Sequence, residues 1–207
     1  MKCLLLWLSL LALPVLAAPA DIPGWQAYQH HDYLAARQAF AAGAAAGNRV
    51  AMFDLAMMNW RGEGGAVDRT AGLHGLQQAA SAGLAQAQYA LGLLYEKGEG
   101  VGRSLNEATR YFALAARQGW LPAQIDLATQ YFLGRGAPKD ARLAAYWYEQ
   151  AARQGDVGAQ YLIASLYEHG DGVMQDRQRA MAWYARAAAQ GDVAARLKAQ
   201  ALSGGPH

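Results

Sequence analysis

Residues 94–104 read LYEKGEGVGRS, with alternating glycines at Gly98, Gly100 and Gly102. A phosphate-binding loop places such glycines between a strand and the amino end of a helix, where free N–H groups and the helix dipole attract an anion. Here the residues before Gly98 have helical spacing, and no Gly-Lys-Ser/Thr motif follows. We therefore interpret this stretch as a turn that ends one helix and leads to the next.

The same turn recurs along the chain every 36 residues, without insertion or deletion. Its first glycines form the column Gly62, Gly98, Gly134 and Gly170, and its second glycines form the column Gly64, Gly100, Gly136 and Gly172. A third column is Gly47, Gly83, Gly119, Gly155 and Gly191. A fixed period of this length indicates tandem supersecondary units, none of which buries its apolar face alone.

Each unit carries two helical patterns. Residues 85–97 are predicted to form a first helix, because Ala87, Leu91 and Tyr95 recur at four-residue spacing on one face. A second helix is predicted between a capping side chain, which accepts from free N–H groups of the first turn, and the third glycine column. The predicted caps are Asp32, Asp68, Ser104, Asp140 and Asp176, and the bulky column of these helices is Phe40, Leu76, Phe112, Tyr148 and Tyr184. The predicted fold class is all-α.

Three segments resemble a known repeat. WYEQAARQGD (147–156) and WYARAAAQGD (183–192) resemble the second helix of Sel-one-like repeats, which are relatives of the tetratricopeptide repeat, and ALGLLYEKGEGV (90–101) resembles the first helix and turn. The resemblance implies a right-handed α-solenoid of antiparallel helix pairs, a superhelix whose first helices line a concave surface. The expected organisation is a tetratricopeptide-like helix pair at 21–47, four repeats at 48–191, and a capping helix and tail at 192–207.

The first 20 residues are expected to be a signal peptide. Lys2, an apolar run over residues 4–16 and small residues at 17–20 follow the order of a secretory signal, with cleavage after Ala17 or Ala20. The single cysteine, Cys3, lies inside this segment, so the mature chain is expected to contain neither thiol nor disulfide. The expected location is the periplasm of a Gram-negative bacterium.

The charge pattern does not favour nucleic acid as a partner. Lysine and arginine number 18 against 16 aspartate and glutamate, and no basic cluster runs along the chain. No metal or cofactor is expected, since none of His30, His31 and His74 has a second ligand at helical spacing and each turn holds at most one acid. No nucleophile motif is present either, so the sequence predicts no catalytic residues and no enzyme activity.

The predicted function is that of an exported scaffold or adaptor, which binds a protein or peptide in the concave groove. The resemblance places the following first-helix side chains there: Phe53, Met57, Trp60, Tyr89, Leu93, Ile125, Phe132 and Tyr161. Large side chains recur at the equivalent positions Phe53, Tyr89, Ile125 and Tyr161. Exposed aromatic residues are favoured interface anchors. The alternative that these residues pack against neighbouring helices stays open. Two other functions also stay open: a binder or hydrolase of cell-wall fragments or another small molecule, and a structural part of an envelope assembly.

Overall fold

The computed structural model describes residues 24–204. The predicted signal peptide lies outside the described residues. Within them the chain forms eleven α-helices: α1 (Trp25–Gln29), α2 (Tyr33–Ala45), α3 (Arg49–Arg61), α4 (Arg69–Ser81), α5 (Ala85–Lys97), α6 (Leu105–Arg117), α7 (Leu121–Leu133), α8 (Ala141–Arg153), α9 (Val157–His169), α10 (Arg177–Ala189) and α11 (Val193–Gly204). The predicted all-α fold is confirmed. Among these helices, none is long and apolar enough to cross a membrane.

The helices begin and end where the sequence pattern predicts. The carboxylates of Asp32, Asp68 and Asp176 each accept from a backbone N–H three residues later, at 2.8–3.1 Å. Asp140 caps two N–H groups, and the hydroxyl of Ser104 accepts from one at 3.2 Å. The third glycine column follows the second helices with φ between 82° and 98°. Such φ angles strain any residue with a Cβ atom, which explains why glycine recurs here.

The turn between the two helices of a repeat needs both of its glycines. In the first copy, the N–H groups of Gly62 and Glu63 donate to the carbonyl of Met58, which closes the end of α3. Gly64 also has a positive φ, and a Cβ atom there would lie 2.7 Å from the carbonyl oxygen of Tyr33. The second turn glycine therefore permits close contact with the start of the preceding second helix.

The chain divides into two compact units, which meet in sequence after Ala115, inside α6. Each unit has its own buried side chains. In unit 1 the fully enclosed residues include Phe40, Leu76, Leu91 and Phe112. In unit 2 one continuous cluster joins α8, α9 and α10 and reaches Ala195 of α11, with the large side chains Tyr148, Ile163, Tyr167, Trp183 and Tyr184. The bulky column predicted from the repeat is buried in both units, at 0–4% exposure.

A buried glutamine joins each of the first helices α5, α7 and α9 to the preceding second helix. The side-chain amides of Gln88, Gln124 and Gln160 each donate to a carbonyl eight residues earlier, at 3.2 Å. In unit 2 the oxygens of Gln124 and Gln160 accept from Gln154 and Gln190, at 2.7 and 2.9 Å. A buried amide is costly unless it is hydrogen-bonded, so this repeated pairing fixes the spacing of adjacent helix pairs. The sequence analysis did not identify it.

Candidate functional site

Four of the eight side chains predicted to face a partner are buried. Phe53 and Met57 are 1% exposed, and Trp60 and Leu93 are 7% exposed. Trp60 packs beside Gly72, where an added Cβ atom would lie 3.2 Å from the indole, and Arg69 lies 5.7 Å from its ring. The expectation that these four side chains are exposed is not met, because neighbouring groups enclose them and leave a partner almost no area to cover.

The other four predicted residues are accessible to different degrees. Tyr89, Ile125 and Tyr161 are half-buried, and Phe132 is 37% exposed. The ring of Tyr89 lies 5.6 Å from that of Phe112, and the ring of Tyr161 lies 5.2 Å from that of Tyr184 in an edge-on arrangement. A ring held against the core in this way loses little conformational entropy when a partner covers it. Whether these residues bind a partner stays a prediction.

In unit 2 several apolar residues of the first helices recur on one side of each helix, whereas the exposed Leu133 and Leu162 lie outside this side. Positions four and eleven residues apart share a helix face, and this face carries Leu121, Ile125, Phe132, Val157, Tyr161, Val193 and Leu197. We call these seven residues the unit 2 face. Leu121, Ile125, Val157 and Tyr161 also pack against the core of the unit. Val193 and Leu197 are 57% and 60% exposed.

The sequence analysis did not include Val193 and Leu197 among the candidates. Leu197 stands 36 residues after Tyr161 and continues the column of large side chains into the last helix. The 36-residue spacing indicated Leu197, but the last helix was expected only to cap the array. Its polar residues are exposed as well, at Arg196 and Gln200. Gln200 stands three residues after Leu197 and seven after Val193, so polar and apolar side chains share the exposed surface of this helix.

A polar cluster borders the unit 2 face between α9 and α11. The carboxylate of Glu168 accepts from the hydroxyl of Tyr184 at 2.7 Å and from the ammonium of Lys198 at 3.0 and 3.1 Å. Burial alone would raise the pKa of Glu168, but the Tyr184 hydroxyl and the Lys198 charge outweigh it and hold this pKa below its ordinary value. Burial, together with the neighbouring Glu168, raises the pKa of Tyr184. The cluster fixes α11 beside α9.

Acids and histidines at the turns are held by hydrogen bonds to other groups of the chain. Glu63 accepts from the hydroxyl of Tyr28 at 3.2 Å and lies 3.7 Å from Arg61. One ring nitrogen of His30 lies 2.8 Å from the carbonyl oxygen of Gln26, and His169 contacts a carbonyl one turn earlier in the same way. Among residues 24–204, no three His, Asp or Glu side chains gather as a metal site would require.

Asp54 is a buried acid that the sequence analysis did not single out. Its side chain is 2% exposed, and neither carboxylate oxygen has a hydrogen-bond partner among the described residues. Burial raises the pKa of Asp54 to about 7, although the positive charge of Arg61 opposes the shift. The equivalent positions hold Ala90, Asp126 and Leu162, so a carboxylate recurs once in this column, but Asp126 is only half-buried.

Comparison with known proteins agrees with the repeat. The Sel1 repeat model matches four consecutive segments, 49–84, 85–120, 121–156 and 157–192. A crystal structure of a Sel1 repeat protein from Oxalobacter formigenes aligns with a TM-score of 0.79 at 31% identity, over 85% of this chain and 72% of that chain. A protective antigen present in uropathogenic Escherichia coli strains, which displays an SLR fold, aligns with a TM-score of 0.76 at 32% identity, over 85% of this chain and 38% of that chain.

The search of curated proteins found no match. The matched repeats nevertheless account for most of the chain, and their turns, caps and buried columns are those described above. Similarity of sequence, of helix order and of three-dimensional structure thus leads to the same assignment. This chain belongs to the Sel1 repeat family.

Proposed function

We propose that this chain is an exported scaffold that binds a protein or peptide through the unit 2 face. Sel1 repeat proteins are generally protein-interaction scaffolds. The observation that carries the proposal is the set of exposed apolar side chains Phe132, Val193 and Leu197, which lie on the two first helices α7 and α11 of one unit. Contiguous apolar surface with a polar border is typical of a protein-binding site.

The half-buried side chains of this face supply anchors for such a site. Tyr161 and Ile125 rest on the core, so a partner would cover groups that are already fixed in position. The ion pair of Glu168 with Lys198 lies at the border, where water limits its contribution to affinity but where charge assists orientation. No step of this function requires bond-breaking chemistry, and the proposal assigns no catalytic residue.

Export is part of the proposal and is supported by the order of charged, apolar and small residues in positions 1–20. A fusion of the full chain to a reporter that is active only outside the cytoplasm tests it. Activity is expected with the intact segment. Equal activity after the apolar run has been interrupted by two arginines would refute export through this segment.

Site-specific photocrosslinking in the native cell envelope tests the binding surface. A photoreactive residue at Phe132 or at Leu197 is expected to capture the same partner, because both lie on the unit 2 face. The matched control is Leu143, which is 39% exposed but belongs to the second helix α8. Capture of the same protein from all three positions, or from position 143 alone, would contradict the proposal.

A further inference from the structure

Two grooves occur at the same register in the two units, 72 residues apart. The groove between α3 and α4, with a volume of about 200 Å³, is lined by Ala44, Met52, His74, Gly75 and Gln78, together with Leu55, Ala56, Asn59 and Ala71. The groove between α7 and α8, with a volume of about 280 Å³, is lined at the equivalent positions by Ala116, Gln124, Tyr146, Trp147 and Gln150. We call them the α3–α4 groove and the α7–α8 groove. The repeat thus provides an internal comparison.

The decisive difference is a missing aromatic side chain. The column that contains Gly75 continues as Tyr111, Trp147 and Trp183, so the first repeat alone has no ring there. The apolar residue on the adjacent first helix differs accordingly. Leu55 is half-buried, whereas its equivalents Leu91, Leu127 and Ile163 are 0% exposed. The α3–α4 groove therefore exposes apolar surface that the later repeats keep covered.

The chain itself cannot supply this ring from position 75. A Cβ atom on Gly75 would lie 2.8 Å from the Cβ atom of Ala56, closer than two carbon atoms can approach. A Cβ atom on Gly72 would lie 3.0 Å from the carbonyl oxygen of Ala56. The two glycines bring α4 close to α3, and no side chain from position 75 can fill the groove that remains.

The rim of the groove also follows the pattern of the later repeats. In each of them, a side chain one residue before or three residues after the ring covers it. The centroid distances are 4.3 Å for Arg110 over Tyr111, 4.9 Å for Tyr146 against Trp147 and 4.4 Å for Arg186 over Trp183. In the first repeat these two positions hold His74 and Gln78, both exposed and both at the groove. His74 and Gln78 therefore occupy the positions of the covering side chains, although the first repeat has no ring between them.

We propose that the α3–α4 groove binds an aromatic side chain, tryptophan or tyrosine, presented by a partner polypeptide. The apolar floor of Met52, Leu55 and Ala56 would contact the ring, and His74 would stack on it from the rim. The space is sufficient, since a cavity of about 150 Å³ lined by aliphatic side chains binds benzene. This inference rests on the proposed function in one respect, namely that the ring belongs to a protein partner. The α3–α4 groove is separate from the unit 2 face.

The test uses N-acetyl-tryptophan amide as the probe and methyl-labelled full-length mature protein. Titration is expected to shift the NMR signals of the Met52 and Leu55 methyl groups with millimolar affinity, whereas N-acetyl-alanine amide is expected to shift neither. Ala71→Leu, which places a larger side chain in the groove, is expected to weaken binding at least tenfold. The matched control is Ala41→Leu at an exposed position of α2 outside the groove, which is expected to bind like the parent protein.

A second variant leaves the α3–α4 groove unchanged and tests the inference in unit 2. Trp147→Ala removes the ring that fills the equivalent place in unit 2, and in a folded protein it is expected to create a second site for the same probe. The inference is overturned if the parent protein shows no shifts at Met52 and Leu55, or if Ala71→Leu binds as well as the parent. Its failure is distinct from failure of the proposed function, which is tested by crosslinking at positions 132 and 197.

Discussion

The column of large first-helix side chains is buried at its start in unit 1 and exposed at its end in unit 2. Phe53 at its start is 1% exposed, whereas Leu197 at its end is 60% exposed, although each occupies the same position in its repeat. Tyr161 lies between these extremes. A repeat position therefore determines the direction in which a side chain leaves its helix, but the surrounding residues determine whether it is core or surface.

The largest expected effect is the difference in stability loss between substitutions at the two ends of this column. Phe53→Ala is expected to lower the free energy of unfolding by about 3–5 kcal/mol, because it leaves a cavity in a closely packed region. Leu197→Ala is expected to change it by about 0.5 kcal/mol or less, since the side chain is largely in water. Urea unfolding followed by circular dichroism measures both. Equal losses in the two variants would show that burial does not distinguish these positions.

The next effect concerns the buried acid of unit 1. The pKa of Asp54 is about 7 in the folded protein and near 4 in an unfolded chain. Between these values the folded state holds a proton that the unfolded state has lost, so stability falls as pH rises from 4 to 7. Asp54→Asn removes this dependence and is expected to be more stable than the parent above pH 7, by up to about 4 kcal/mol.

Unfolding midpoints at pH 4, 5.5, 7 and 8 check the prediction for Asp54. The advantage of the asparagine variant is expected to shrink as pH falls towards 4, where the unfolded state also begins to bind the proton. The matched control is Asp171→Asn, because Asp171 is an exposed acid in a turn of unit 2. An advantage of the Asp54 variant that does not vary with pH would contradict the assigned pKa.

A smaller effect is expected from the glutamine pairs, which also differ between the units. Position 52 in the first repeat holds Met52, where the later repeats have Gln88, Gln124 and Gln160. Gln160→Met transfers the first-repeat residue into unit 2. It is expected to cost about 1–3 kcal/mol, because the carbonyl of Ala152 and the amide of Gln190 lose a buried partner. Hydrogen exchange at the ends of α8 and α9 is expected to increase. Unchanged exchange would show that the hydrogen bonds of Gln160 do not hold these helices together.

The smallest effect is expected from the ion pair at the border of the unit 2 face. Lys198→Met is expected to cost about 0.2–1 kcal/mol near neutral pH, as is usual for accessible pairs. The pKa of Glu168 is lowered in the folded protein, so this contribution is present above the ordinary pKa of glutamate and is lost as pH falls through the folded value. Unfolding at pH 7 and pH 3 checks it, and an equal cost at both values would exclude an electrostatic origin.

Local signals in the sequence were sufficient for the fold. The helix predicted over residues 85–97 is α5, Ala85–Lys97, and the capping aspartates and turn glycines lie where the period places them. These features depend on backbone groups within a few residues, so each can be inferred from a short segment. Repetition of the same signals at 36-residue spacing then reinforced each assignment.

Exposure could not be predicted in the same way. Whether Phe53 or Leu197 meets water depends on residues that are distant in sequence, and the column that contains both has large apolar or aromatic side chains throughout. Asp54 and the glutamine pairs were missed for a related reason. Polar residues on a helix are ordinarily read as surface, and only the packed structure shows that these are enclosed.

The close contact between the second turn glycine and the preceding helix has a consequence for evolution of the array. Surface loops usually tolerate inserted residues. Here Gly64 lies directly against the backbone of Tyr33, and Gly172 lies in the same way against Ala141, so an added residue would move the chain out of this contact. Length variation is therefore expected between whole repeats, by duplication or loss of entire units, rather than within these two turns.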